Sequence, residues 1–271
     1  MVRNETQGPH SPFELSVVIP IGGIGNDFSK LKLNLLAATQ HHFEVVLVLD
    51  GLQNSQRDQI KTFVKSKNLE SKNISFHETN FQNPGAARNF GLNLASGKFI
   101  AFWDSDDLAD CAKIAQCLAE VRDQTDAVIG AFQQTHLGNS SSRTFRPHRL
   151  SWRLDLFVRP GFWRILYRRD RLGSAEFGVS RMGEDQVFLA SFGIWERKVE
   201  ISDEVFYTYF TGNPNQLTQA LNRFKQLRLT INELKLLNHN QNFLNKLFIS
   251  LLVIKLNFSL FKSKICGKDI H

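Results

Sequence analysis

Apolar and polar residues are arranged along this chain in blocks whose period switches between strand-like and helix-like. LSVVIP (15–20) is an apolar, β-branched run stopped by proline, which predicts a buried strand. Phe28, Leu31 and Leu35 follow at helical spacing, so a helix is expected over 27–39, after a glycine-rich turn at 21–25. FEVVLVLDG (43–51) predicts a second buried strand ending in an acid and a glycine. Ile60, Phe63 and Val64 mark a second helix, and 74–78 alternates like a third strand. Asn83, Pro84 and Gly85 form a turn, 86–95 reads as a helix broken by Gly97, and KFIAFW (98–103) is a fourth strand. This β-α-β-α-β-α-β order predicts an α/β, Rossmann-like three-layer sandwich with a mostly parallel sheet. Ligands bind such sheets beyond the carboxyl ends of the strands, where Pro20, Asp50 and Asp104 all fall.

Further on, Ile114, Cys117, Leu118 and Val121 give an amphipathic helix, and DAVIG (126–130) another strand. Residues 138–149 are polar and read as a loop, while 152–167 are aromatic and basic. Gly183, Glu184 and Asp185 open a segment whose Val187, Phe188 and Phe192 belong in the core. Leu217, Ala220, Leu221, Phe224, Leu227, Ile231 and Leu234 keep the three-four pattern of a long helix. The tail from Asn242 to Lys262 is strongly apolar with lysines at intervals; its longest uncharged run is about eight residues, too short to cross a bilayer. An amphipathic helix on an anionic membrane, packing on the rest of the chain, and pairing with a second copy all remain open for it. The expected division is a flexible N-terminus (1–14), one α/β domain (15–212) with halves at about 15–110 and 111–212, and a C-terminal helical extension (213–271).

With 271 residues and 42% hydrophobic content, the chain can bury a real core and is not disordered. Its net charge is +7, with arginines crowded between Arg143 and Arg171 and lysines in the tail. No nucleic-acid-binding motif accompanies that charge, so a nucleic-acid partner is not expected. Three cysteines without a C-x-x-C pair point to a reducing compartment. Residues 1–12 are polar and lack the apolar stretch of a signal peptide, which agrees with a cytoplasmic location.

The chemistry concentrates in KFIAFWDSDD (98–107), where an apolar run ends in Asp104, Asp106 and Asp107. Burying unpaired carboxylates is costly, so these acids should sit at the open end of the strand, in water or on a cation. Hard cations such as Mg²⁺ and Mn²⁺ take carboxylate oxygens and keep positions for water and substrate phosphates. The plain alternative is an acidic loop in which Asp107 or Asp110 caps the next helix.

Four pieces in this order carry a family resemblance: SVVIP (16–20); LDG (49–51); NPGAARNFGLNLASGKFI (83–100) running into DSDD (104–107); and GEDQVF (183–188). Together they resemble the family 2 glycosyltransferases, inverting enzymes of the GT-A fold that use nucleotide-sugar donors. The resemblance covers about 15–210. It implies that Asp106 is the main ligand of Mn²⁺ or Mg²⁺ on the donor diphosphate, with Asp104 assisting and, beside Ser105, reaching the nucleotide. Pro20 and Ile21 would offer backbone groups to the base, and Asp50 would accept its ring N–H, which favours a UDP-sugar. The family commonly shows a second acid and a Gly-Ser here, whereas this chain reads Leu49-Asp50-Gly51-Leu52. Arg88, in the first turn of its helix, would lie near the nucleotide or pair with an acid, and Asn89 would support the site.

The resemblance further makes Asp185 the general base that deprotonates an acceptor hydroxyl. Glu184 would hold the acceptor or orient Asp185; capping of the helix that follows is the alternative for both acids. Trp163, Met182 and Arg181 would line the acceptor side, with Trp152 and Phe162 as further candidates for an aromatic platform, although a tryptophan is more often core. No Q-x-x-R-W follows the E-D pair, which implies addition of one sugar per encounter rather than processive synthesis. The implied acceptor is a glycan or lipid-linked hydroxyl in surface polysaccharide synthesis, at the inner face of the cell membrane. A different class keeps the fold without the chemistry: a catalytically inactive module that binds nucleotide or glycan.

Overall fold

A computed structural model describes residues 11–22, 27–69, 73–138, 141–212, 223–239 and 241–265. Of the turn expected at 21–25, Ile21 and Gly22 instead continue the first strand; its remainder, the N-terminal residues 1–10, the expected helical positions Leu217, Ala220 and Leu221, and Cys266 lie outside the described residues.

Strand β1 (Leu15–Gly22) lies at the centre of the first half of the sheet. It pairs in parallel with β2 (Glu44–Asp50) on one side and β4 (Phe99–Phe102) on the other, and β2 pairs in parallel with β3 (Ile74–Thr79). Helices α1 (Ser29–Gln40), α2 (Asn54–Ser66) and α3 (Pro84–Leu94) make the crossovers. Every residue of β4 is buried, as a strand covered on both faces must be. The parallel α/β order expected from the apolar pattern is therefore present.

Beyond β4 the sheet becomes mixed: with β5 (Leu108–Ala109), β6 (Ala127–His136), β8 (Ile165–Arg168) and β9 (Val199–Thr211) the overall order is β3-β2-β1-β4-β8-β6-β9-β5. After the short β5 and α4 (Cys111–Glu120), β6 runs parallel to β9. Strand β8 inserts antiparallel between β4 and β6. The stretch expected to be a loop at 138–149 contains a further strand, β7 (Ser142–Phe145), antiparallel to β6. It is polar because it is an edge strand with most of its residues exposed, and Phe145 anchors it by stacking on Phe132 at 4.8 Å. Between β7 and β8 lies the short α5 (Trp152–Val158).

Helix α3 shows how the sequence sets the site. Asn83 caps it by accepting the Ala86 N–H, and Pro84 stands in its first turn. Gly91 faces the sheet, where a Cβ would come within 2.4 Å of Val18 Cγ1. The helix thus lies flush on β1 and carries Arg88 to the carboxyl ends of the strands.

Helices α6 (Glu184–Phe192), α7 (Arg223–Asn238) and α8 (Phe243–Ile265) complete the described chain. One face of α8 packs inward: Phe248 stacks on Trp195 at 5.1 Å, and buried Asn245 donates to the Ala190 carbonyl. The tail is one continuous helix, and by length and composition Phe243–Phe261 is long enough to cross a membrane. Counting uncharged runs underestimated it, because Lys255 does not interrupt the helix but folds back to donate to the Phe157 carbonyl.

Candidate functional site

A cavity of about 480 Å³ opens beyond the carboxyl ends of β1, β2 and β4. Among the residues singled out above, Pro20, Asp50, Arg88, Asp104, Ser105, Asp106, Trp163, Arg181, Met182, Glu184 and Asp185 line it. Ile21 does not, its side chain being buried in the core beneath. Trp152 is likewise a core residue, whereas Phe162 is part of the wall.

At the β2 end of the cavity, Asp50 is buried and braced. Its Oδ1 accepts the Thr79 hydroxyl at 3.1 Å and the Phe81 N–H at 2.5 Å, and its Oδ2 accepts the Asn83 N–H at 3.1 Å. It therefore shapes the β3–α3 loop as well as lining the cavity. Gly51, at φ +66°, makes the turn that lets the strand end there.

The three acids after β4 divide by environment. Asp104 accepts from Arg88 at 2.6 Å, and its N–H donates to the Tyr207 hydroxyl. Burial, and then the charge of Asp104, raise the pKa of Asp106. Asp107 points away and accepts the Phe210 N–H at 2.8 Å, which ties the loop to β9. Burial and the two neighbouring carboxylates push its pKa well up. Asp110, not Asp107, caps α4 by accepting the Lys113 N–H.

The acids of α6 sit where Gly183, at φ +90°, turns the chain into the helix. Glu184 accepts from Arg88 at 3.0 Å rather than contacting Asp185. Arg88 thus lies between Asp104 and Glu184, with its guanidinium over the Phe162 ring at 4.6 Å. Burial works against its charge, and the two carboxylates more than offset that, so its pKa is raised. For Asp185, burial and then the charge of Glu184 push the pKa from 3.8 up to about 7, while Arg88 pulls the other way.

The segment 177–185 is fastened to α3 by several contacts. Asn83 donates to the Val179 carbonyl, and Asn89 both accepts the Phe177 N–H and donates to the Phe177 carbonyl. Arg181 reaches the Gln82 carbonyl. Gly85 permits the approach, since a Cβ there would lie 2.5 Å from the Gly178 carbonyl oxygen. From the other side α7 holds the same segment: Glu233 accepts the Val179 N–H at 2.7 Å, Gln226 accepts the Arg181 N–H at 2.8 Å, and Thr230 donates to the Met182 carbonyl at 2.7 Å.

Sequence reasoning missed α7 in this role, because long-range polar clasps leave no periodic signal. It also missed Tyr207 and Tyr209, between which Trp163 stacks at 4.6 and 5.4 Å. Their two-residue spacing in β9 was the available sign that both share one face.

Among the described residues, no group of three His, Cys, Asp or Glu side chains converges on one point. Asp104 and Asp106 nevertheless fit a hard cation: two carboxylates at the cavity, one of them with a raised pKa whose cost a cation would relieve, and room for water and phosphate.

The parallel β1–β4 unit with its mixed continuation is a GT-A-type fold, and at its carboxyl edge one acid pair faces a second across a shared arginine. The family model of glycosyl transferase family 2 matches residues 16–180, and the chain belongs to that family. It is 28% identical over 186 residues to EpsH of Bacillus subtilis strain 168, covering 63% of this chain and 53% of EpsH. The chain thus spans about half the length of that relative. Its fold is similar to that of Staphylococcus aureus TarS 1-349 in complex with UDP-GlcNAc, with TM-score 0.66, 20% identity, and coverage of 90% of this chain and 71% of that one. It is similar also to the Pyrobaculum calidifontis mannosyltransferase PcManGT in complex with GDP-Man and Mn²⁺, with TM-score 0.59, 13% identity, and coverage of 95% and 75%.

Proposed function

We propose that this protein transfers a sugar from a nucleoside-diphosphate donor, a UDP-sugar first among them, to a hydroxyl of a glycan or lipid-linked acceptor with inversion. The observation that carries this reading is the convergence of Asp104, Asp106 and Asp185 on one cavity. UDP-GlcNAc in the TarS complex and Mn²⁺ in the PcManGT complex support the donor class and the cation.

In this reading Asp106, assisted by Asp104, holds Mn²⁺ or Mg²⁺. The ion would supply neutralisation of the departing diphosphate. Pro20, Asp50 and Ser105 line the nucleotide end of the cavity. Asp185 takes the proton from the acceptor hydroxyl, and a carboxyl with pKa about 7 suits that task near neutral pH. The oxygen then attacks the anomeric carbon from the side opposite the leaving diphosphate. Trp163 and Tyr209 form an aromatic wall of the cavity, and Arg181 and Met182 close the acceptor side. Transfer of one sugar per encounter, a role in surface polysaccharide assembly, and action at the cytoplasmic face of a membrane belong to the same reading.

Donor hydrolysis and transfer measured with UDP-, TDP- and GDP-sugars, with Mn²⁺ or with a chelator, test it. The expected result is cation-dependent turnover that falls at least about a hundredfold in Asp106→Ala and in Asp185→Asn. Nucleotide binding without any turnover would instead identify an inactive binding module.

A further inference from the structure

Helix α8 is apolar on two faces, and only one of them is packed. Its inward face places Phe248, Ile249, Leu252 and Leu256 in the core. Its outward face carries Phe243, Leu247, Leu251, Ile254 and Phe261, which are between 39% and 82% exposed. At 3.6 residues per turn these five side chains fall within one stripe about 80° wide and about 27 Å long. A stripe of this length rimmed by polar residues marks an interaction surface.

The charge around the stripe selects its occupant. Between Glu233 and Asp269 the sequence has six lysines (Lys235, Lys246, Lys255, Lys262, Lys264 and Lys268) and no acid. Lys246 stands exposed one position before Leu247. A second copy docked through a two-fold axis would bring together two segments that hold lysines and no acid, and like charges so placed oppose association. An anionic lipid surface complements the same segment.

We propose that α8 docks the protein flat on an anionic membrane, with its apolar stripe below the headgroups and Lys246 among them. The helix lies along the surface rather than crossing it, because its other face is held. Asn245 donates to the Ala190 carbonyl, Lys255 donates to the Phe157 carbonyl, and Phe248 stacks on Trp195. Crossing would break all three. Helix α7 packs on α8 and grips the segment 178–183. If the function proposed above holds, docking also brings the protein to the surface that presents a lipid-linked hydroxyl; the docking itself does not depend on that reading.

Flotation of the full chain with vesicles of phosphatidylcholine, alone or mixed with phosphatidylglycerol, tests the proposal. Binding is expected to the mixed vesicles, with release by high salt. Leu247→Glu combined with Ile254→Glu should weaken it at least about tenfold, by placing two charges in the apolar stripe. Melting temperature and donor hydrolysis should not change. Should that variant fail to fold, Lys246→Glu must weaken binding to the mixed vesicles alone. Absence of wild-type binding would overturn the proposal. So would binding that survives high salt and alkaline washing, which marks a crossing helix. A dimer in light scattering that the double substitution dissociates would overturn it in favour of a second copy.

Discussion

Arg88 and Glu184 stand 96 positions apart in the chain and 3.0 Å apart in the fold. The same guanidinium reaches Asp104 through its other terminal nitrogen at 2.6 Å. One side chain thus couples the acids that follow β4 to those that open α6. A planar fork with separate N–H directions can serve two carboxylates at once; a lysine ammonium on a flexible stem cannot hold both in the same way.

Arg88→Ala should therefore be severe. It leaves Asp104 and Glu184 without their shared cation, and breaking a buried pair in this way costs about 3–5 kcal/mol. Urea unfolding of the wild type and the variant at neutral pH checks this. Arg88→Lys should recover part of the stability but little of the transfer activity.

Asp185 gives a prediction of opposite sign. Its folded pKa of about 7 lies above the ordinary 3.8, so its ionisation costs stability progressively as pH rises from about 4 to 7. Asp185→Asn should match the wild type near pH 4 and exceed it at pH 8, by up to about 4 kcal/mol, while transfer is lost. Denaturation curves at both pH values, beside a transfer assay, check the two halves.

The pH–rate profile should report the same group. With Asp185 as base, kcat/KM is expected to rise on an acid limb near pH 7. Glu184→Gln removes the neighbouring charge that helps hold that pKa up, and should move the limb to lower pH. A limb that stays in place would separate the measured ionisation from Asp185.

Gly85→Ala tests the fastening of α3 to the loop beneath α6. The new methyl would meet the Gly178 carbonyl at 2.5 Å, and backbone on both sides cannot yield cheaply. Overpacking of this kind costs about 1–3 kcal/mol. Because the displaced segment leads into Glu184 and Asp185, kcat should fall more than the stability loss explains. Kinetics on the folded variant, judged by circular dichroism, measure the difference.

The grip of α7 predicts that activity needs the C-terminal helices although they supply no acid to the cavity. Thr230→Val removes the hydroxyl that serves the Met182 carbonyl and should cost about 1 kcal/mol, with a larger fall in turnover. Removal of residues 213–271 should abolish transfer. Stability and turnover measured on both variants decide.

The sequence was most legible where chemistry is local. The β1–α3 series showed in the switch of hydrophobic period, and Asp50, Asp104 and Asp106 showed because they follow apolar runs that end abruptly. Asp110 as a helix cap and Asp107 as a brace on β9 could not be told apart from spacing, since either carboxylate is within reach of a helix start. Strand β7 was hidden because an exposed edge strand has the composition of a loop. Trp163 proved to be both core and cavity wall, a distinction that periodicity does not draw.

By itself the sequence determined which acids end the apolar runs, and the strand ends that present them, because an unpaired carboxylate is costly to bury and an apolar run is costly to expose. Only the tertiary structure decided their partners. That Arg88 joins Asp104 to Glu184, that burial beside Glu184 lifts Asp185, and that α7 secures the loop between them are contacts between segments far apart in the chain. Their energies depend on distance and dielectric, and neither is written in residue order.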